Sequence, residues 1–269
     1  MTVATDQEYL QKDQYRDASN LNARMALHAR FGTEKIGWHP WVFDQLDLPP
    51  DARVLELGCG PAQLWVQNVD RLPAGWKVML SDFSPGMIEQ ARQNLAESGF
   101  PFAFAQFDAQ SIPFDDASFD AVIANHMLYH VPDRTKAYAE VRRVLRPGGA
   151  FYAATNGRDN MRQIMELEDV MGDAGGLRPF AADPNFFALE NGEVELKEAF
   201  AGVELRRTES ALLVTEAQPL IDYILSGADR SKVTDGMLSS LRATIDTRIE
   251  EEGAFRIDKI AGLFIAANG

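Results

Sequence analysis

The sequence predicts an α/β protein: a doubly wound, mostly parallel seven-stranded sheet with helical lid insertions. Three observations carry this. Short apolar runs alternate with helical patterns from residue 52 to 155, the rhythm of parallel βαβ units. The first run ends in a glycine-rich turn, where open parallel sheets place their ligands. The composition, 46% apolar and 25% charged over 269 residues, is that of an ordinary globular chain.

Each element follows from local pattern. Residues 5–46 read as helical, with a break at Gly37-Trp38-His39-Pro40. ARVLELG (52–58) is a buried strand closed by glycine. WKVMLSDF (76–83) is the second strand. Ser84-Pro85 then supplies an N-cap and a proline at the first helical position, and Gly99 ends that helix. FAFAQFDA (102–109) is the third strand. FDAVIANHML (119–128) is the fourth, apolar as far as Ala124. Asp133 caps a helix with Ala137, Val141, Val144 and Leu145 on one face; Pro147-Gly148-Gly149 stops it before AFYAAT (150–155), the fifth strand.

Beyond residue 156 the alternation is interrupted. A helix around 159–172 carries Met161, Ile164, Met165 and Met171, with Glu166, Glu168 and Asp169 as a solvated face. Met161, Met165 and Met171, with Phe180, Phe186 and Phe187, are either plain core or the lining of a plastic apolar pocket, and their place in an insertion after strand five favours the pocket. A helix at about 191–200 precedes VELRRTE, the sixth strand. Residues 211–252 read as helical. FRIDKIAGLFIAA (255–267) is the last strand, broken by Gly262. The chain therefore divides into an N-terminal helical lid (1–46), an α/β core (47–156), a cap inserted after strand five (157–200), and the rest of the sheet with a helical insertion (201–269).

Charge and composition exclude several functions. Lys and Arg number 26 against 40 Asp and Glu, a net charge of −14, which repels phosphate backbones and anionic lipid. The expected partner is a small molecule, not nucleic acid or membrane. The one cysteine, Cys59, permits no intrachain disulfide, and no acidic or histidine cluster has metal-ligand spacing, so no metal is expected. The N-terminus is polar and acidic, unlike a signal peptide, so a cytoplasmic location is the default.

The turn after the first strand, Gly58-Cys59-Gly60-Pro61-Ala62-Gln63, separates two nucleotide chemistries. A dinucleotide fingerprint needs a small third residue, and Gln63 occupies that place. Glu56, two residues before the first glycine, suits a cationic ligand group instead. Asp82, ending the second strand, can accept both hydroxyls of a ribose. A nicotinamide-dependent oxidoreductase is accordingly disfavoured.

Residues 52–155 resemble class I S-adenosylmethionine-dependent methyltransferases of the broad small-molecule type, with a Rossmann-like sheet. The family's acidic-x-G-x-G-x-G motif is matched by Glu56-Leu57-Gly58-Cys59-Gly60-Pro61-Ala62, with Ala62 in place of the last glycine. Asp82-Phe83-Ser84-Pro85-Gly86-Met87, Asp108-Ala109-Gln110-Ser111-Ile112-Pro113-Phe114, Phe119–Asn125 and Leu145–Gly149 follow in family order. The resemblance implies these cofactor contacts. Gly58, Cys59 and Gly60 form the turn around the methionine moiety, with Glu56 supporting it through water or backbone amides. Asp82 holds the ribose, and Phe83 and Met87 flank the adenine. Asp108 accepts from the adenine amino group, and the Ala109 N–H donates to the ring. Asn125 lies beneath the methionine amine, and Tyr15 is a lid group over the carboxylate. The product is S-adenosylhomocysteine.

His126, Tyr129 and His130 leave the fourth strand beside the expected methyl donor, and a histidine there can act as a general base. The alternative is a histidine that only tethers the loop, because alignment supplies much of the acceleration in methyl transfer. His28 is a further lid candidate. A protein that keeps the cofactor without transferring methyl also remains open. The acidic charge gives one expected outcome: filter binding to RNA or DNA yields no tight, salt-sensitive complex. Such a complex would restore nucleic acid as the acceptor.

Overall fold

The computed structural model describes residues 26–175 and 185–269; Tyr15 and Phe180, named above, lie outside the described residues. The sheet has seven strands: β1 (Arg53–Leu57), β2 (Lys77–Asp82), β3 (Ala103–Gln106), β4 (Phe119–Asn125), β5 (Leu145–Asn156), β6 (Gly202–Val214) and β7 (Phe255–Ala267). Their order is β3-β2-β1-β4-β5-β7-β6. The first five run parallel, and β7 is antiparallel to both of its neighbours. The order switches direction between β1 and β4, and the crevice beyond their carboxyl ends is where such sheets bind ligands.

Alternation along the strands covers both faces. Leu55 and Leu57 of β1, with Val122 and Phe151, look to one side, onto α4 (Arg134–Val144) and α6 (Leu189–Ala199). Val54 of β1, with Leu80, Ile123 and Tyr152, looks to the other, onto α1 (Trp38–Phe43), α2 (Gln63–Val66) and α3 (Pro85–Leu95). Burial on two faces is why these strands read as continuous apolar runs. Each fully buried large apolar side chain contributes roughly 1.5–3 kcal/mol. Ser84 caps α3 as expected, its hydroxyl accepting from Met87 N–H at 3.4 Å, and Asp133 caps α4.

A third cluster lies at the far end of the β6–β7 hairpin. There a helical segment at 26–31, α5 (Arg162–Glu168), α7 (Ala217–Leu225) and α8 (Asp235–Glu252) pack against Leu212, Val214, Phe255 and Ile257. Gly32 bridges to Leu212, the Thr33 N–H donates to the Ala211 carbonyl at 2.9 Å, and Arg30 pairs with Glu216. The chain before α1 is thereby pinned across the carboxyl end of the sheet.

Several expectations are corrected. Residues 211–214 are strand, because β6 pairs with β7 along its whole length; the apolar run ALLV gave no local sign of this. Trp38-His39-Pro40 begins α1 rather than breaking a helix, since proline is tolerated in a first turn. β5 starts at Leu145, and a register shift opposite Phe119–Ala121 absorbs Pro147-Gly148-Gly149. Glu168 is buried, not part of a solvated face, whereas Glu166 and Asp169 are exposed. Gly262 does not break β7. It lies where β6 and α6 close on the strand: a Cβ there would stand 2.8 Å from the Arg206 carbonyl oxygen and 3.0 Å from Leu189 Cδ2.

Gly262→Ala is therefore expected to destabilise the protein by about 1–3 kcal/mol despite the better strand propensity of alanine. Urea unfolding checks this, and an unchanged or higher midpoint would contradict the close approach.

Candidate active site

A cavity of about 820 Å³ opens at the carboxyl ends of β1, β2 and β4. It is lined by Glu56, Gly58, Cys59, Gly60, Asp82, Phe83, Met87, Asp108, Ala109, Asn125, His126, Tyr129 and His130. These are all the site residues the sequence nominated apart from Tyr15, which lies outside the described residues.

The turn after β1 is built on left-handed backbone: Gly58 has φ +62°, Gly60 +52° and Ala62 +62°. At Gly58 a Cβ would stand 2.7 Å from Met127 Cβ, so glycine is required there for conformation and for space. At Gly60 nothing lies within 4 Å of a Cβ position, and the residue lines the cavity. A side chain there would occupy the space a ligand needs. Ala62 adopts the left-handed region without the freedom of glycine, held by its N–H donating to the Cys59 carbonyl at 3.0 Å. Asn94 Nδ2 donates to the Pro61 carbonyl at 2.9 Å, tying the turn to α3.

Two carboxylates anchor this turn. Glu56 is 2% exposed, and its carboxylate accepts from the Trp65 indole N–H of α2, a side-chain partner that the resemblance did not indicate. Burial pushes its pKa up to about 8; the Trp65 bond opposes the shift and the Asp82 charge adds to it. Asp82 accepts from Gly60 N–H at 2.9 Å and Ser84 N–H at 2.8 Å. It also lines the cavity. Burial raises its pKa to about 6, against the lowering effect of the Ser84, Gly60 and Phe83 amides. Burial, with Asp82 and Glu56 nearby, pushes the Cys59 thiol well above its ordinary range, which disfavours the thiolate form.

Asp108 is engaged by Gln110: the side-chain amide donates to both carboxylate oxygens at 3.0 and 2.9 Å, and the Gln110 N–H adds a bond at 2.9 Å. An adenine amino group would share that carboxylate with Gln110.

At the opposite end the sequence indicated His28, Asn125, His126, Tyr129, His130 and Met161, but not Glu34, Trp38, His39, Asn160, Tyr223 or Lys259, which also line it. Trp38 Nε1 donates to Asn125 Oδ1 at 3.0 Å, and its ring lies 4.8 Å from that of His126. His126 itself sits at φ +59° and lines the cavity wall. Burial, with His39, His28 and Lys259 adding to it, lowers its pKa to about 3. His28 and His39 are likewise lowered to about 4, chiefly by burial. Tyr129 is flanked by His130 at 4.5 Å and stacked on Phe186 at 4.8 Å. Met161 lines the cavity, and the Tyr223 hydroxyl donates to its sulfur at 3.6 Å. Met165 is not among the lining residues, and Met171 and Phe187 are core. Lys259 Nζ donates to Glu34 Oε1 at 2.6 Å across the same wall. Among the described residues no group of acidic, histidine or cysteine side chains is placed to hold a metal ion, and no helix is long and apolar enough to cross a membrane.

Comparison with known proteins gives a consistent placement. Residues 55–153 match the family model described as "Methyltransferase domain". The chain is 32% identical over 121 residues to the demethylmenaquinone methyltransferase of Desulfitobacterium hafniense, covering 44% of this chain and 47% of that protein. The chain thus spans about half the length of the curated relatives it matches. Among solved structures, phosphoethanolamine N-methyltransferase 2 of Haemonchus contortus in complex with S-adenosyl-L-methionine superposes with a TM-score of 0.59 at 18% identity, covering 97% of this chain and 59% of that one. The [4+2]-cyclase SpnF superposes at 0.57 and 16% identity over 95% and 96%. Likeness at this identity concerns the fold alone.

The Glu56 environment gives an expected pH dependence. A carboxyl group whose pKa rises from 4.5 in the unfolded chain to about 8 in the folded one favours folding most below pH 4.5; its contribution is lost as pH climbs toward 8. Glu56→Gln in the ligand-free protein is expected to flatten the fall in melting temperature across that window. An identical pH profile for variant and parent would show that Glu56 is not held protonated.

Proposed function

We propose that this chain, whose residues 55–153 match a methyltransferase-domain family model, is a class I S-adenosylmethionine-dependent methyltransferase that transfers a methyl group from S-adenosylmethionine to a small, partly apolar acceptor bound in the same cavity. The observation that carries the reading is the juxtaposition of Glu56, the glycine turn and Asp82 at one end of the cavity, with a separate lined space beyond Asn125 at the other. At about 820 Å³, the cavity lies toward the upper end of the roughly 300–1,000 Å³ typical of small-molecule sites.

The residues fit the cofactor. Gly60 leaves its Cβ space open, and the Asp82 carboxylate, which takes the Gly60, Phe83 and Ser84 amides, also lines the cavity where a ribose would lie. Glu56, held neutral in the ligand-free protein by burial, lines the cavity where a cationic ammonium would favour its charged form. Phe83 and Met87 supply the walls of an adenine slot, with Asp108 and the Ala109 N–H at its edge. When bound, S-adenosylmethionine supplies a methyl group already activated on a sulfonium.

The chain's own task is alignment and exclusion of water. Trp38 takes up the Asn125 carbonyl and so directs its amide N–H groups elsewhere, while Trp38, His126 and Met161 wall the acceptor space. His126 is held neutral with a pKa of about 3, which suits an acceptor of hydrogen bonds better than a keeper of protons. Tyr129 and His130 add polar contacts on the same wall.

Asp82→Ala is expected to weaken S-adenosylhomocysteine binding by about 2–3 kcal/mol, since charge-assisted bonds are lost. Calorimetry giving unchanged affinity would remove Asp82 from the site. A turnover assay with S-adenosylmethionine separates methyl transfer from cofactor binding alone. For His126→Ala, kcat is expected to fall about tenfold if the side chain orients the acceptor, against about 10²–10⁴ for a general base. A loss of the larger size, with a pH limb removed by the substitution, would restore the base.

A further inference from the structure

Resting on that reading, we infer that the acceptor carries an oxyanion, a carboxylate or phosphate, held by Lys259 and the Asn160 amide at the end of the cavity away from Asp82. The observation behind it is a bias in what that wall offers. The loop after β5 is laid along β7: Gly157 N–H donates to the Ile260 carbonyl at 3.0 Å, and Met161 N–H to the Asp258 carbonyl at 2.8 Å. This sets Asn160 beside Lys259, and both line the cavity together with Met161 and Ala261.

The Ile260 N–H donates to Asn160 Oδ1 at 2.9 Å, so the amide's carbonyl is spent and its orientation is fixed. The NH₂ group of Asn160 is what remains for a ligand. The same holds for Asn125, whose Oδ1 is taken by Trp38. Lys259 has three N–H donors, and one goes to Glu34 Oε1.

The acceptors at this end are mostly uncharged: the Asn156 amide and the Tyr223 hydroxyl line the same wall. The Glu34 carboxylate is the acidic group at this end, and it is committed to Lys259; its second oxygen is shielded, with no hydrogen-bond partner among the described residues. Glu56, Asp82 and Asp108 belong to the other end. His28, His39 and His126 are imidazoles with single acceptor nitrogens when neutral. A ligand that brings oxygen acceptors and negative charge satisfies these donors, and one that brings an ammonium does not. Lys259 and Glu34 are only 16% and 21% exposed, so screening by solvent is limited. The register supports a placed cation. Lys259 shares a strand face with Phe255, Ile257 and Leu263, all buried, where an apolar residue would otherwise be expected.

The test uses the full chain saturated with S-adenosylhomocysteine, so that only the acceptor space is probed. Matched pairs are titrated by ligand-observed NMR: 4-hydroxybenzoate against methyl 4-hydroxybenzoate, hexanoate against hexanamide, and phenyl phosphate as the phosphate arm. The anion is expected to bind at least about tenfold tighter than its neutral partner. Whichever of the carboxylate and phosphate arms responds identifies the source of the oxyanion. Lys259→Met is expected to abolish the preference while leaving S-adenosylhomocysteine affinity unchanged. Asn160→Asp keeps an oxygen for the Ile260 N–H and replaces the donor with a second acceptor; it is expected to weaken the anion by about tenfold without unseating the loop. Equal or tighter binding of the neutral partners, no response from any anion, or a preference that survives both substitutions would overturn the inference. Failure of the parent protein to bind S-adenosylhomocysteine would instead overturn the methyltransferase reading, and it is measured first.

Discussion

Two carboxylates placed at the ends of adjacent parallel strands govern the architecture of the site. Glu56 and Asp82 are both largely withdrawn from solvent at the cavity wall, so each loses hydration that the fold must replace. The replacement comes from nearby structure. The Trp65 indole reaches Glu56 from α2, and the amides of Gly60 and Ser84 converge on Asp82. To deliver the Gly60 amide the backbone must enter the left-handed region at residues 58, 60 and 62. To make that turn, Gly58 must pass within side-chain contact of Met127. The strand ends, the turn and the start of the loop after β4 are therefore one mechanical unit, and a ligand over that turn meets groups already in position.

The other half of the cavity is assembled differently. It draws on residues 28–39 from the N-terminal side, Asn160 and Met161 from the loop after β5, Tyr223 from α7 and Lys259 from β7. The loop after β4 adds Asn125, His126, Tyr129 and His130. The long β6–β7 hairpin makes this possible: it extends past the parallel strands and gives the helical segments at 26–31, α5, α7 and α8 a shared apolar platform. The Asp82 end of the cavity is sheet edge, and the Lys259 end is a meeting place of elements distant in sequence.

The same division explains what was legible in the sequence. Strands β1 to β5 are read from local apolar runs, and the residues at their ends follow by position. Glu56, Asp82, Asp108 and Asn125 thus meet in one cavity as the pattern implied. Hairpin pairing between residues 202 and 267 is a long-range event, so ALLV at 211–214 looked like the start of the following helix. Gly262 looked like a break because the covering side chains from β6 and α6 are invisible locally. Trp38 sat within an apparent helix break. Lys259 did leave a trace: a lone cation in the inward register of an otherwise apolar strand face. Its partner Glu34 lies 225 positions away and could not be paired with it from sequence.

A crystal structure with S-adenosylhomocysteine bound tests the central claim most directly. The expected complex has the ribose hydroxyls on the Asp82 carboxylate, the adenine between Phe83 and Met87 beside Asp108, and the sulfur turned toward Asn125 and the space walled by Trp38 and His126. A complex with the ribose away from Asp82, or with the sulfur facing a wall closed off from Lys259 and Asn160, would contradict it.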